Sequence, residues 1–462
     1  MHPVVLVRDS VVLVRDSGVP LAVQLADALR AAAVGGVLRT GDRLPSTRAL
    51  ATELGLSRTV TAAAYDQLLA EGWVSGRRGS GTYVTAAPVA SRAVAAPSAR
   101  VVAPSTEPSV VDLRAGSPCT DILDVAAWRR AWRAGGDAPP DGGPCPAGLP
   151  AFRVAVVEHL LRHRGLPADP AEVLATGGST SAISELARVL PVGARVAVEE
   201  PGYPRAVWAL AAAGGSVVRA AVDDAGLRVD ALPPGLAAVY CTPAHQYPLG
   251  ARLAADRRIA LVERARAEDW LVIEDDYDGE LRYDVAPLPL LAALGPDVVA
   301  HLGTASKMLA PTLGVGWLVA PPAVRQAVLA NRELTGARPA PAGQRVFAAL
   351  AAHGDLARHL RRLRRELAWR RAVVTAALDA AGVEIRGDEA GAHVVAVLAD
   401  LGAERAAIAA AAESGVVLDG LARHHGGSPA TAGIVLGYAG PSRADLGRAL
   451  PVVTASLDVA HR

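Results

Sequence analysis

From about residue 112 onward, short apolar runs alternate with helical segments, and four of those runs end abruptly in polar clusters. Residues 195–198 lead into EEPGY, 236–240 into TPAHQY, 270–273 into EDDY, and 298–302 into GTASK. Apolar runs of this length read as strands buried on both faces, and strands alternating with helices make an α/β fold around a parallel sheet. Open parallel sheets place their sites beyond the carboxyl ends of the strands. Four polar clusters in that register therefore predict one shared pocket. Residues 112–462 are expected to form this α/β unit, with shorter strands and an Arg-rich helical stretch beyond about 330 making a smaller subdomain.

Composition admits that fold and excludes others. Hydrophobic residues make up 51% of the chain and charged residues 20%, which a disordered or collagenous chain would not show. The longest nearly apolar stretch, 206–218, is broken by Gly214, Gly215 and Ser216, so no membrane span is expected. Arg8 and Arg15 are followed by no long apolar segment, so a secretory leader is not expected either. Cys119, Cys145 and Cys241 form no C-x-x-C pair, which fits reduced thiols and a cytoplasmic protein. VVLVRDS occurs at 4–10 and again at 11–17, two copies being too few for a solenoid.

The 47 basic residues are all arginine except Lys307. Arginine replaces lysine readily on a solvated surface, but not where a deprotonatable primary amine is the reagent. Lys307, just past the 298–302 run, is thus a candidate reactive amine; chance survival of one surface lysine is the plainer alternative. Pyridoxal phosphate (PLP) needs such an amine, an anion facing its pyridine nitrogen, and amides, hydroxyls and a cation around its phosphate. Asp275 can supply the anion, and Tyr277 can hydrogen-bond the ring oxygen. The segment from Thr176 to Thr180 opens a helical run at 181–190, so its amides point at an anion, and Tyr203 offers a ring face. Acidic turns are more often simply solvated. DDYDGE ends too soon for a calcium loop. His159 and His163, four apart, are expected on a solvated helix face, and His424 and His425 lack metal spacing, so no metal is expected.

Residues 18–85 read as three helices and a hairpin. Leu21, Leu25, Leu29 and Ala32 share one face; Ser46 and Ser57 cap the second and third helices; Gly55 and Gly72 end them. Strands near 73–75 and 82–85 flank GRRGSG. This is a winged helix-turn-helix layout, whose third helix enters the major groove. Ser57, Arg58, Thr59 and Thr61 are then placed for base edges, and Arg43, Arg48, Arg77 and Arg78 for the backbone or a groove. The net charge of the whole chain is only +1, so any nucleic-acid footprint is local. A small helical protein-interaction domain is the alternative on pattern alone. Residues 86–111, rich in Ala, Pro and Ser, read as a linker.

LPSTRALATELGLSRTVTAAAYDQLLAEGWVSGRRGSGTYV resembles the GntR-type winged helix, in both its LPS-x-R-x-LA-x-x-LG-x-SR-x-T core and its EG…R-x-GSGT-(aromatic)-V ending. That resemblance implies DNA contact by Arg43, Ser46, Arg48, Ser57, Arg58, Thr59 and Gly81. EEPGYPR, TPAHQYPLG, IEDDYDGELRY and LGTASK, in this order after such a head, resemble the MocR-type regulators, and the resemblance covers nearly the whole chain. These join the winged helix to a fold-type I aminotransferase-like domain. The resemblance implies a homodimeric, PLP-responsive regulator of double-stranded operator DNA. It implies a Schiff base at Lys307, Asp275 on the pyridine nitrogen, Tyr203 stacked on the ring, and Gly178, Ser179, Thr180 and Thr304 at the phosphate. Arg205 and Arg423 match positions that hold an effector carboxylate, as in an amino-acid-like ligand.

Two departures stand out. The usual phosphate-binding Arg, seven residues past the lysine, is Gly314 here, and the stretch 142–148 lacks the usual Tyr. A charge-assisted hydrogen bond contributes roughly 1.5–3 kcal/mol, so its loss weakens PLP binding by about one to two powers of ten unless another Arg substitutes. Two other readings stay open: a working aminotransferase with a DNA-binding head, and a PLP-independent regulator on a decayed aminotransferase scaffold.

Overall fold

The computed structural model describes residues 13–14, 18–77, 81–85, 110–137, 145–283 and 289–460. The chain divides into two compact units, residues 1–105 and 106–462. In the first, α1 (Leu21–Val34), α2 (Thr47–Leu54) and α3 (Arg58–Ala70) precede an antiparallel hairpin of β1 (Val74–Arg77) and β2 (Gly81–Val84). Ser46 and Ser57 cap α2 and α3, their hydroxyls accepting from Ala49 N and Val60 N, each at 3.2 Å. Gly55 ends α2 in the left-handed conformation, φ 61°. Leu25, Leu29, Leu50, Leu68, Val74 and Val84 form the core. Tyr65 crosses it to donate to Pro45 O at 2.8 Å.

In the second unit the strands are β3 (Val111–Asp112), β4 (Val173–Thr176), β5 (Arg195–Glu200), β6 (Ser216–Asp223), β7 (Gly226–Leu227), β8 (Ala238–Cys241), β9 (Leu271–Asp276), β10 (Val299–Thr304), β11 (Gly316–Val319), β12 (Ile385–Arg386), β13 (His393–Leu398), β14 (Val416–Val417) and β15 (Ala432–Gly437). The main sheet runs β4-β11-β10-β9-β8-β5-β6-β7. Its centre, β10 through β6, is parallel. Neighbouring β11 is antiparallel to both β10 and β4, and β7 is antiparallel to β6. β12, β13 and β15 form the smaller antiparallel sheet, and β14 pairs with β3. One core lies on each face of the main sheet: a larger one around Phe152, Trp317 and Leu363, and a smaller one around Ile183, Leu186 and Tyr240.

Several sequence expectations change. The strands do not stop where hydrophobicity stops. β5 and β9 continue through Glu200 and Asp276, and on β9 the acidic side chains have buried partners. Glu274 accepts from Leu291 N and Ala292 N at 2.7 and 3.1 Å, and Asp276 takes a two-pronged bond from Arg164 at 2.6 and 2.7 Å. His159 is buried, not solvated, with Nε2 2.8 Å from Glu280 Oε1. Residues 86–109 of the expected linker lie outside the described residues, and Val111, assigned to that linker, already belongs to β3. Most of the VVLVRDS repeat, Arg78 and residues 142–144 also lie outside them.

Gly303, on β10, is required by a close approach. A Cβ there would sit 2.1 Å from the indole of Trp317 on β11, which is buried. Gly303→Ala is expected to destabilise the second unit by about 1–3 kcal/mol through overpacking. A fall in the urea midpoint at unchanged m-value checks this.

Candidate functional site

The carboxyl ends of β5, β8, β9 and β10 open on a cleft of about 610 Å³. All ten residues that the sequence nominates for cofactor or effector line it, among them Lys307, Asp275, Tyr203, Arg205 and Arg423. Each arrives by a local device. Lys307 follows β10, and its Nζ donates to Gly116 O at 2.7 Å. Burial pushes its pKa below the usual lysine value, against the pull of Asp278 and Asp275.

Asp275 is buried near the end of β9, and its Oδ2 accepts from Tyr240 Oη at 2.8 Å. Its Oδ1 is buried without a partner among the described residues. Burial, with repulsion from Asp276 and Asp278, raises its pKa to about 7, although the Tyr240 bond opposes the rise.

α4 (Ser179–Val189) begins two residues earlier than its apolar pattern indicates, so Ser179 and Thr180 lie in its first turn. Its N-cap, Gly178, has φ 118°, a conformation that only glycine adopts readily. First-turn amides lack helical acceptors and carry the positive end of the helix dipole. The hydroxyls of Thr304 and Ser306 stand beside this turn, 3.0 Å apart, and a Cβ on Gly178 would lie 3.5 Å from Thr304 Oγ1. Tyr203 Oη is 3.2 Å from Thr180 Oγ1. Tyr277 Oη donates to His245 O at 3.0 Å, and Tyr247 meets both Tyr203 and Tyr277 edge-on.

Gly314 does not line the cleft. It is exposed, at φ 58°, after the turn Pro311–Leu313. The two arginines expected to meet an effector carboxylate differ: Asp419 grips Arg423 through Nε and Nη2, whereas no hydrogen bond or ion pair among the described residues engages Arg205.

Sequence reasoning missed Tyr240, Ser306 and Gly116. Ser306 was visible as the neighbour of Lys307. Tyr240 looked like the last residue of an apolar run, and no local pattern marks Gly116. The polar residues of TPAHQY mostly tie their loop to neighbouring segments: buried Glu199 on β5 accepts from Thr242 Oγ1 at 2.6 Å and Thr242 N at 3.1 Å.

In the first unit, Ser57, Arg58 and Thr59 are exposed around the start of α3, Arg48 is exposed on α2, and Ser46 is exposed at its cap. Arg43 packs over Gly81, where a Cβ would meet its Nε at 2.8 Å. Thr61 departs from expectation. It is fully buried and donates to Thr47 O and Arg58 O at 2.9 and 3.0 Å, so it fastens α3 to α2 and cannot reach DNA.

Comparison with known proteins agrees with both units. Residues 21–84 match the bacterial regulatory proteins of the gntR family, and residues 108–432 match aminotransferase class I and II. The pyridoxine biosynthesis transcriptional regulator PdxR of Corynebacterium glutamicum is 37% identical over 90% of this chain and 91% of its own. The probable rhizopine catabolism regulatory protein MocR of Rhizobium meliloti is 32% identical over 93% and 92%. Kynurenine aminotransferase of Pyrococcus horikoshii superposes with TM-score 0.70 over 77% of this chain and 92% of that one, at 24% identity, which establishes the fold-type I architecture. With a gntR-type head and an aminotransferase-type body matched end to end by full-length regulators, the chain belongs to the MocR-type family of helix-turn-helix transcriptional regulators.

Proposed function

We propose that the chain binds operator DNA through residues 18–85 and senses PLP through residues 112–462, with 86–111 as the connection. The observation that carries this reading is the cleft's arrangement: the chain's only lysine and a buried aspartate with one oxygen unpartnered among the described residues share it with a glycine-capped helix start. The donor set fits the cofactor. Gly178, Ser179 and Thr180, with the Thr304 and Ser306 hydroxyls, suit a phosphate. Asp275 suits a protonated pyridine nitrogen, Tyr203 a ring face, and Lys307 an aldehyde. The name of the Corynebacterium relative, a regulator of pyridoxine biosynthesis, supports the same ligand class.

When bound, PLP supplies an aldehyde for an amine to capture and a ring nitrogen that draws electrons once protonated. The protein's own part is positioning. Gly116 O holds the Lys307 amine, burial lowers its pKa from the usual lysine value, and the α4 amides face the anion. Arg205, with no hydrogen bond or ion pair among the described residues, is the cation open to the phosphate or to an effector carboxylate. A carboxylate approaching Arg423 must compete with Asp419. Occupancy changes DNA affinity only if PLP binds two arrangements of the protein unequally. A homodimer reading paired half-sites from the cytoplasm completes the proposal. Among the described residues, no helix is long and apolar enough to cross a membrane.

The competing reading is a working transaminase. Its half-reactions release the lysine tether, leaving the phosphate contacts to hold the cofactor, and no Arg occupies position 314. Titrating the full chain with PLP, then assaying keto-acid formation over a panel of amino donors, separates the two. Saturable visible absorbance without sustained turnover supports the regulator; multiple turnovers per site overturn it.

A further inference from the structure

We propose that Tyr240 is a positioning residue that holds the Asp275 carboxylate ionised and aimed into the cleft, and thereby sets how tightly the cofactor's ring nitrogen is gripped. The inference rests on the PLP reading above. Tyr240 lies on β8 beside β9, in register with Ile273, and its hydroxyl reaches past that neighbour to Asp275 Oδ2 at 2.8 Å. Its side chain is fully buried. Burial and the nearby carboxylate hold the phenol far above its usual pKa, so it stays a proton donor.

Asp275 needs that donor. Asp276 and Asp278, from its own strand and the loop after it, oppose its ionisation, as does Glu199 on β5. His301 on β10 favours ionisation, and Lys307, Tyr203 and Tyr277 complete the titratable surroundings. Among the described residues, Tyr240 supplies the one hydrogen bond that Asp275 receives, and Oδ1 receives none. The two oxygens are therefore divided: Oδ2 is fixed by the protein and Oδ1 is left for a ligand. Without the phenol, the buried carboxylate loses the one donor it has among the described residues and takes up a proton at higher pH. A protonated carboxyl no longer favours a protonated ring nitrogen.

The test is PLP binding by the full chain carrying Tyr240→Phe, measured across acid to mildly alkaline pH by absorbance and equilibrium dialysis. At neutral pH, affinity is expected to fall about tenfold, and the acid limb of the profile to move up by about one pH unit. In an Asp275→Asn background, Tyr240→Phe is expected to add no further loss. An unmoved profile, or losses that simply add, would overturn the role. If Tyr240→Phe does not fold, 3-fluorotyrosine placed at position 240 keeps the shape and makes a stronger donor; the acid limb should then move down, and a fixed limb overturns the role. Failure of the unsubstituted chain to bind PLP would overturn the cofactor reading itself. Normal binding with an unmoved Tyr240→Phe profile overturns only the inference.

Discussion

Lys307→Ala is expected to abolish the visible absorbance that PLP gives with the unsubstituted chain and to weaken PLP retention by roughly a hundredfold, the scale of 3 kcal/mol. No other lysine exists in the sequence to take over. Lys307→Arg should fail equally, because a guanidinium keeps the charge but is not a nucleophile at neutral pH. That second variant matters: a merely electrostatic role for Lys307, balancing Asp275 and Asp278, would survive it. The fold should survive both changes, since the one bond the amine makes among the described residues is to Gly116 O. Thermal melts and absorbance titrations of the two variants check the expectation, and a persistent PLP band in either contradicts it.

The second large effect is expected at the other unit. Arg58 is the first residue of α3, exposed, and its side chain is engaged by no hydrogen bond or ion pair among the described residues. A bidentate arginine–guanine contact contributes about 1–3 kcal/mol of discrimination, and two heads on paired half-sites would double that. Arg58→Ala should therefore lower specific operator affinity by at least about tenfold while leaving PLP absorbance unchanged. Arg48→Ala, if its contact is with phosphate, should weaken specific and nonspecific binding alike and flatten the salt dependence. Retained operator affinity for Arg58→Ala in a mobility-shift assay would remove α3 as the reading helix.

What the sequence made legible was local. Ser46, Ser57 and Gly55 mark helix ends because caps act within a few residues. The four strand ends converged on one cleft because a parallel sheet collects them on one edge. What it hid was long-range or disguised. Gly116 meets Lys307 across 191 residues of chain. Tyr240 passes for strand filler, since a phenol's partner cannot be read from its own neighbours. His159 sits at helical spacing from His163 and looked solvated, but Glu280, 121 residues away, accounts for its burial. Thr61 carries the same lesson, for a threonine near a helix start reads as a DNA contact until its hydroxyl is found on Thr47 O. The departure at Gly314 was legible, but its setting was not. At φ 58° on an exposed turn, an Arg there would be strained in this backbone.

Occupancy of the cleft is expected to govern the head's grip on DNA. The most direct measurement is operator affinity, by fluorescence anisotropy at fixed salt, of the full chain over a PLP titration, with Lys307→Ala alongside. Operator affinity is expected to change with a midpoint matching the visible-absorbance titration, and Lys307→Ala to bind DNA without responding. Operator affinity that stays constant while the absorbance saturates would contradict it.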